Sequence, residues 1–383
     1  MKILLISNYV PDGQQSMLRY PVMLQKALTA QGHKATIVHP PAVLGRLPFL
    51  RGGLAKWIWY LDKYLIAPWY LRGKVRGHDI VHICDHSNAM YVRCGGKRPQ
   101  VITCHDLIAV LGARGHYPEV RTGVTGRMLQ RWIAISLRRA RFVICVSEST
   151  GADFRALVPD GRANVRVIPH ALNRRCEAAE QNMIEQEAMK LGLAHDARYL
   201  LHVGGNQWYK NRLGTMQIFG ELKKSTQFQD MHLVMAGKPW TPEMRRFAGS
   251  SGLTNSIIEA TGIGDDALNV LYSGAQALLF PSLAEGFGWP VLEAQACGCP
   301  VITTERAPMT EVGGAAAIYI DPSDPTAAAK TILEQWPRRA ALREAGLRNA
   351  ATFTEEKMAM SYVLAYEEML TGALEAWKGK GTE

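Results

Sequence analysis

Twelve short apolar runs, spaced by stretches of helical pattern, constrain this chain more than any other feature. The first six are Lys2–Ser7, Ala35–Val38, Ile80–Ile83, Val101–Cys104, Phe142–Val146 and Val165–Ile168. The second six are Tyr199–Val203, His232–Ala236, Asn255–Ala260, Ala277–Phe280, Pro300–Thr303 and Ala317–Ile320. Most are nearly continuous Val, Ile, Leu or Ala. Strands of that kind are covered on both faces, as in parallel sheets flanked by helices. Between them lie helical patterns such as Tyr20–Gln31, Gly126–Ala140, Arg212–Lys224 and Gly288–Cys297. Strand–helix alternation performed twice predicts an α/β fold of two doubly wound, Rossmann-like domains.

The expected divisions are a first domain at 1–172, a linker at 173–198, a second domain at 199–353 and a terminal segment at 354–383. The linker is polar and holds a short helical segment but no strand. The terminal segment reads as one long amphipathic helix. With 383 residues, two domains with separate cores are affordable.

A hydrophobic share of 47% excludes a disordered chain. No uninterrupted apolar run reaches the ~18 residues of a membrane span. The start, MKILLISNYVPDG, is expected to be a strand and a turn, since it lacks the longer apolar core and cleavage site of a secretory signal. Seven cysteines without a CxxC pair are expected to be reduced thiols, not disulfides or a zinc site. The expected location is therefore cytoplasmic, either free or peripheral at the inner face of a membrane.

Charge is unevenly spread. Residues 1–175 hold 26 Lys and Arg against 9 Asp and Glu, a net of +17, whereas the remainder holds 18 against 25, a net of −7. A basic half suits a polyanionic partner, whether nucleic acid, phosphorylated substrate or anionic lipid. Within it, Arg51–Arg76 carries six aromatic rings (Trp57, Trp59, Tyr60, Tyr64, Trp69, Tyr70) among Lys and Arg side chains. Trp57–Tyr70 reads either as a helix packed on its domain or as an interfacial helix on an anionic membrane surface. Pro68 is expected to break any single continuous helix there.

The chemistry concentrates in FPSLAEGFGWPVLEAQACGCPVIT, residues 280–303. A strand ends at Pro281, a loop holds Glu285, Gly286, Phe287 and Gly288, and Pro290 sits in the first turn of a helix that Gly298 terminates. Backbone N–H groups and the positive end of the helix dipole at such a crevice suit a diphosphate. Glu285 and Glu293, eight positions apart, are electrostatically wrong for phosphate and right for vicinal hydroxyls. One on a ribose and one on a transferred sugar would span a nucleotide diphosphate sugar.

In YLLHVGGNQWYKNR (199–212) a strand ends in Gly204–Gly205, and Lys210 precedes the next helix, where its ammonium can meet phosphate oxygens. In VITCHDLIAV (101–110), His105 and Asp106 stand at a strand's C-terminal end. His82, Asp85 and His86 form another polar strand end, assigned with Asp106 to acceptor binding or plain hydrogen bonding. No further His or Cys completes a metal site. Neither an Asp-x-Asp pair nor the GxGxxG, GxxxxGK[ST] and GxSxG signatures of dinucleotide, P-loop and nucleophile-elbow enzymes is present.

Together these segments resemble the retaining glycosyltransferases of the GT-B fold, family four, over nearly the whole chain. EGFGWPVLE is similar to that family's Glu-(seven residues)-Glu signature, and ACGCPVIT to the segment that follows it. VGGNQWYKN resembles its phosphate loop, TCHDL its N-domain histidine segment and VIPHALN the strand leading into the linker. ATGIGDDALNVLYSGA resembles the segment flanking the base, and FTEEKMAMSYVLAYEEML the terminal helix that crosses back onto the first domain.

The resemblance implies two domains facing a cleft, a nucleotide sugar donor, a saccharide or lipid-linked acceptor, and neither metal nor cofactor. It assigns Glu285 to the transferred sugar, Glu293 to the ribose, and Lys210 to the diphosphate with the amides of Phe287, Gly288 and Val291. It places His105 beside the donor sugar, Gly13 of the first loop near the phosphates and Ile263 at the base. Gly205 and Asn206 complete the expected donor loop. The family often has an arginine where this chain has Gly205, and a second glycine beside Gly13. Arg212 is the expected substitute for the missing charge. Two alternatives stay open: a nucleotide-sugar epimerase-like enzyme on the same fold, which turns over donor without acceptor, and a basic nucleic-acid-binding module, with no nucleic acid partner expected under the leading reading. Oligomeric state is not encoded in any of these segments.

Overall fold

The computed structural model describes residues 1–46, 58–161 and 163–378. The chain divides into two compact units, one of residues 1–173 with 354–383 and one of residues 174–353.

The first unit contains one six-stranded parallel sheet: β1 (Lys2–Ile6), β2 (Lys34–Val38), β3 (Ile80–Ile83), β4 (Gln100–Cys104), β5 (Phe142–Cys145) and β6 (Asn164–Val167). Their order is β2-β1-β3-β4-β5-β6. Successive residues of β1 feed opposite cores, Ile3 and Leu5 on one face and Leu4 and Ile6 on the other. That explains why the run shows no polar alternation. The terminal helix, Glu355–Lys378, packs Met358, Ala359, Tyr362, Tyr366 and Met369 beside the helix Gln15–Ala30 on this sheet.

The second unit repeats the plan with β7 (Tyr199–Gly204), β8 (His232–Gly237), β9 (Ile257–Thr261), β10 (Ala277–Phe280), β11 (Val301–Thr304) and β12 (Ala317–Ile320). Their order is β12-β11-β10-β7-β8-β9. The chain winds outward from β7 to β9, then returns through β10 to build the other side. β7 and β10 are therefore neighbours at the point where the winding reverses, which in open α/β sheets is where ligands bind. The polar stretch after Asn173 is not a free linker. It contributes the helix Gln181–Lys190, and Ala179 N–H donates to Ser273 Oγ at 2.9 Å within this unit.

Pro68 does not break its helix. The chain is helical from residue 58 to Lys74, with a π-helical turn at Asp62–Ile66 immediately before the proline. That wider turn bonds Ala67 N–H to Asp62 O. The next N–H in that series is the one Pro68 lacks, and Tyr91 Oη donates instead to the orphaned Lys63 O at 2.9 Å. Residues 51–57 of the aromatic segment, Trp57 included, lie outside the described residues.

Candidate active site

The helix Trp289–Ala296 begins immediately after Gly288, whose φ of +105° is accessible to glycine and strained for other residues. A Cβ there would also approach Met309 Cε to 2.3 Å. Gly288, as the N-cap, brings no side chain of its own to this helix start, and Pro290 occupies its first turn. At the other end Gly298 N–H bonds Gln295 O at 3.0 Å and Cys299 N–H bonds Ala294 O at 2.8 Å, the double closure expected of a C-terminal glycine. Sequence spacing thus yields a short helix, held at both ends, at the C-terminal edge of β10.

Lys210 and Glu285 meet at this edge, at the ends of the β7 and β10 connections. Lys210 Nζ donates to Glu285 Oε1 at 2.7 Å, and Ser282 Oγ donates to the same oxygen at 2.6 Å. Both charged side chains are mostly buried. Lys210 Nζ also lies over the rings of Phe280 and Tyr209, at 5.1 and 5.6 Å. One of the three ammonium protons serves Glu285, and Glu285 Oε2 accepts from no described residue.

Glu293 is buried and tethered. Its Oε2 accepts from Arg174 at 3.0 Å and from Tyr272 Oη at 3.1 Å, while Oε1 accepts from no described residue. Arg174 also donates to Asn269 Oδ1 and, at 3.1 Å, to Asp265 O. Although burial works against its charge, Glu293 raises the Arg174 pKa, and burial with Glu293 raises that of Tyr272. Neither Arg174 nor Tyr272 was legible as a site residue. They lie 119 and 21 positions from Glu293, and no local spacing signals either pairing.

Arg212 is buried, and its pKa is lowered by that burial. It donates to Asn206 Oδ1 and, at 2.8 Å, to Lys238 O, while Nε and its second terminal nitrogen meet no partner among the described residues. Asn206 in turn donates to Pro239 O at 2.8 Å, so Arg212 shapes the loop carrying Gly205 and Asn206. Phe287 is buried, Gly286 stands before it in the loop, and Val291 lies buried in the first helical turn. Ile263 is half-buried in the turn after β9.

In the first unit, Gly13 closes a short 3-10 turn, Val10–Asp12, with φ of +66° and open space where a Cβ would be. His105 is buried, with Nε2 2.8 Å from Cys84 O and Nδ1 3.0 Å from His170 Nε2. A carbonyl only accepts, so Nε2 of His105 carries the proton and Nδ1 accepts from His170. The two rings stack at 5.1 Å, and burial lowers both pKa values. His170 is the third residue that sequence reading missed; in VIPHALN it passed for the end of a strand.

The residues assigned to acceptor binding separate. His82 is fully buried, Nδ1 bonding Tyr366 Oη at 2.6 Å and Nε2 bonding Thr103 Oγ1 at 2.7 Å. Burial and neighbouring His105 lower its pKa to about 3. It joins the core to the terminal helix and presents nothing to a ligand, because its ring sits on the face of β3 that this helix covers. Asp85 accepts from Asn8 Nδ2 at 2.5 Å and Ser87 N–H at 2.8 Å, with His86 Nδ1 at 3.3 Å. Burial pushes its pKa up, but His86, His105 and these hydrogen bonds prevail and hold it below the usual carboxylate range. Asp106 accepts from Ile108 N–H at 3.0 Å at the start of the helix Ile108–Ala113. No group of His, Cys, Asp or Glu among the described residues is arranged to hold a metal ion.

The sequence profile described as Glycosyl transferases group 1 matches residues 183–348, and that described as Glycosyltransferase Family 4 matches residues 18–175. The chain belongs to the group 1, family 4 glycosyltransferases. An O-antigen chain mannosyltransferase B of Escherichia coli is 26% identical over 275 residues, covering 70% of each chain. An O-antigen chain mannosyltransferase of Salmonella typhimurium is 23% identical over 270 residues, covering 70% of this chain and 67% of its own. A sucrose-phosphate synthase from Thermosynechococcus elongatus superposes with a TM-score of 0.73 at 20% identity, covering 97% of this chain and all of its own. Its fold, GT-B, is that of this glycosyltransferase.

Proposed function

We propose that this glycosyltransferase moves a hexosyl group from a GDP- or UDP-linked sugar to a saccharide or lipid-linked saccharide, with retention of anomeric configuration and without a metal or cofactor. The observation that carries this reading is the meeting of Lys210 and Glu285 at the β7/β10 switch point, beside the start of the helix that Gly288 opens. Lys210 retains protons for a diphosphate oxygen, and Glu285 Oε2 is available to sugar hydroxyls. Glu293 Oε1 is the corresponding acceptor for a ribose hydroxyl, oriented by Arg174 and Tyr272. The spare donors of Arg212 supply positive charge at the same loop.

In the transfer the bond from the anomeric carbon to the diphosphate oxygen breaks, and a bond to the acceptor oxygen forms on the same face. The acceptor proton passes to a diphosphate oxygen. The protein supplies no strong base, in keeping with a neutral His105 whose two nitrogens are both engaged. Its contribution is charge stabilisation of the leaving group by Lys210 and the helix start, and alignment of the reactants. The two O-antigen mannosyltransferase relatives make mannose the first sugar to test. A reducing, cytoplasmic setting fits seven free cysteines, including Cys104 and Cys145, which are neighbours in register on adjacent strands.

Thermal stabilisation by a panel of nucleotide sugars tests donor binding, since a ligand selective for the native state raises Tm. A match should lose its effect in Lys210→Ala, and the product anomer read by NMR should retain the donor's configuration. An inverted product, or turnover abolished by a chelator, would refute the mechanism. Donor conversion that proceeds without any acceptor would favour the epimerase instead.

A further inference from the structure

We propose that one face of the first unit docks on an anionic phospholipid bilayer, through two exposed apolar helix stripes and a pocket of arginines that holds a lipid phosphate. On the helix Val124–Leu137, the residues Val124, Met128, Trp132 and Ile135 recur at intervals of four, four and three, so they share one side. All four are exposed, Met128 to 67%. The opposite side of the same helix buries Ile133, Ala134 and Leu137. Leu61, Leu65 and Trp69 form a second exposed stripe on the neighbouring helical segment, with Trp69 exposed to 76%. The two segments touch through Tyr64 and Trp132, whose rings meet edge to face at 4.9 Å.

Cationic side chains border both stripes. Arg72 lies 5.5 Å over the Trp69 ring and Lys74 lies 5.2 Å over Tyr70. Arg114, Arg127 and Arg131 line a cavity of about 300 Å3 together with Val110, Ala113 and Gln130. The guanidinium groups of those three arginines bond to no described residue. From Val120 to Ser147 the sequence contains six arginines and neither Asp nor Glu.

Charge selects the occupant. A second copy docked on this face would bring unpaired arginines against one another. A plane of anionic headgroups supplies phosphate to the pocket and a wet boundary at which indole rings and aliphatic side chains can bury their apolar parts. Docking requires no donor sugar, so it succeeds or fails independently of the transfer reaction.

The test is sedimentation of the full chain with vesicles of phosphatidylcholine alone or with about one part in three phosphatidylglycerol, at ~0.1 M and ~1 M salt. Binding is expected to the anionic vesicles, to fall at high salt, and to be accompanied by a blue shift of tryptophan fluorescence. Arg127→Glu with Arg131→Glu should weaken it at least about tenfold, from the roughly fivefold that each surface cation contributes. Met128→Asp should also weaken it without unfolding, since that side chain is exposed, whereas Val22→Asp, on an exposed site of another helix, should not. Equal affinity for neutral and anionic vesicles would overturn the proposal. So would a natively folded Arg127→Glu/Arg131→Glu protein that binds like the parent, or a dimer dispersed by Met128→Asp in a chain that ignores lipid.

Discussion

Replacing Arg174 by Met should destabilise the second unit far more than loss of a surface ion pair would. Arg174 and Glu293 are both about nine-tenths buried, with side-chain exposures of 8% and 9%. Methionine keeps much of the side-chain length but leaves the Glu293 carboxylate with only the Tyr272 hydroxyl as a donor. Removing one partner of a buried pair costs about 3–5 kcal/mol, because the remaining charge stays desolvated. For a unit of this size, at about 2–4 °C per kcal/mol, Tm should fall by ~6–20 °C. Denaturant unfolding with linear extrapolation measures the same loss as free energy. Combining Arg174→Met with Glu293→Gln removes both charges and should restore much of it, giving a coupling of about 2–3 kcal/mol in the double-mutant cycle. Additive losses, or a cost below about 1 kcal/mol for Arg174→Met, would refute the reasoning. Glu293 would then be solvated, with no need of Arg174.

Other outcomes follow from the same contacts. Lys210→Ala should lower turnover at least about a hundredfold in a folded protein, and a variant keeping most of its rate would count against the donor site. His170→Ala should lower kcat roughly tenfold by withdrawing the hydrogen bond that fixes the His105 ring, with His170→Gln, which can still donate, recovering part of it. Loss in KM alone would point to a different role. Tyr366→Phe leaves His82 Nδ1 without its partner in the core and should cost about 1–3 kcal/mol on denaturation. Stability should also fall on acidification. The folded pKa of His82, about 3, lies below the ordinary 6.5, so the unfolded chain binds the proton first. Its contribution is complete above pH 6.5 and should drop by about 2–3 kcal/mol by ~pH 4.5. A flat profile there, or one unchanged in His82→Gln, would contradict the burial argument.

What could be read from the sequence was whatever has a local period or a local geometric demand. All twelve apolar runs are strands in parallel sheets, because burial on both faces leaves its mark residue by residue. Gly288, Pro290 and Gly298 announced a helix and its ends because each meets a backbone requirement within a few positions. The Arg174–Glu293 and His105–His170 pairs left no such mark, since a hydrogen bond across 119 or 65 positions has no period. Pro68 failed in the opposite direction. Its local rule was sound, but the π-turn and the Tyr91 hydroxyl, 28 residues from Lys63, supplied what the proline removes. His82 misled for a related reason: a strand-end histidine looks the same whether solvent or the terminal helix covers it.

The core beneath the terminal helix of the first unit and the loop ends of the second bury polarity differently, and the difference bears on the division of labour. Where the first unit is closed by its terminal helix, the buried polar groups are neutral. Tyr20 bonds Tyr362 at 2.6 Å and Thr103 at 2.9 Å, beside His82 and Tyr366, and His105 and His170 are held uncharged by burial. The second unit buries charge instead, in Lys210–Glu285, Arg174–Glu293 and Arg212. Desolvated charge is costly to keep unless it is paired or meets a ligand of opposite sign. A diphosphate can supply that sign to Lys210 and Arg212, and sugar hydroxyls can replace the ammonium on Glu285. Under the proposed function, the ion pair is a pair of binding groups that hold each other in place and would divide between phosphate and sugar on donor binding. Glu285→Gln separates the two roles: it should leave nucleoside diphosphate affinity equal or higher, by freeing Lys210, while weakening the complete donor sugar. Equal losses for both ligands in calorimetry would show that Glu285 only positions the lysine.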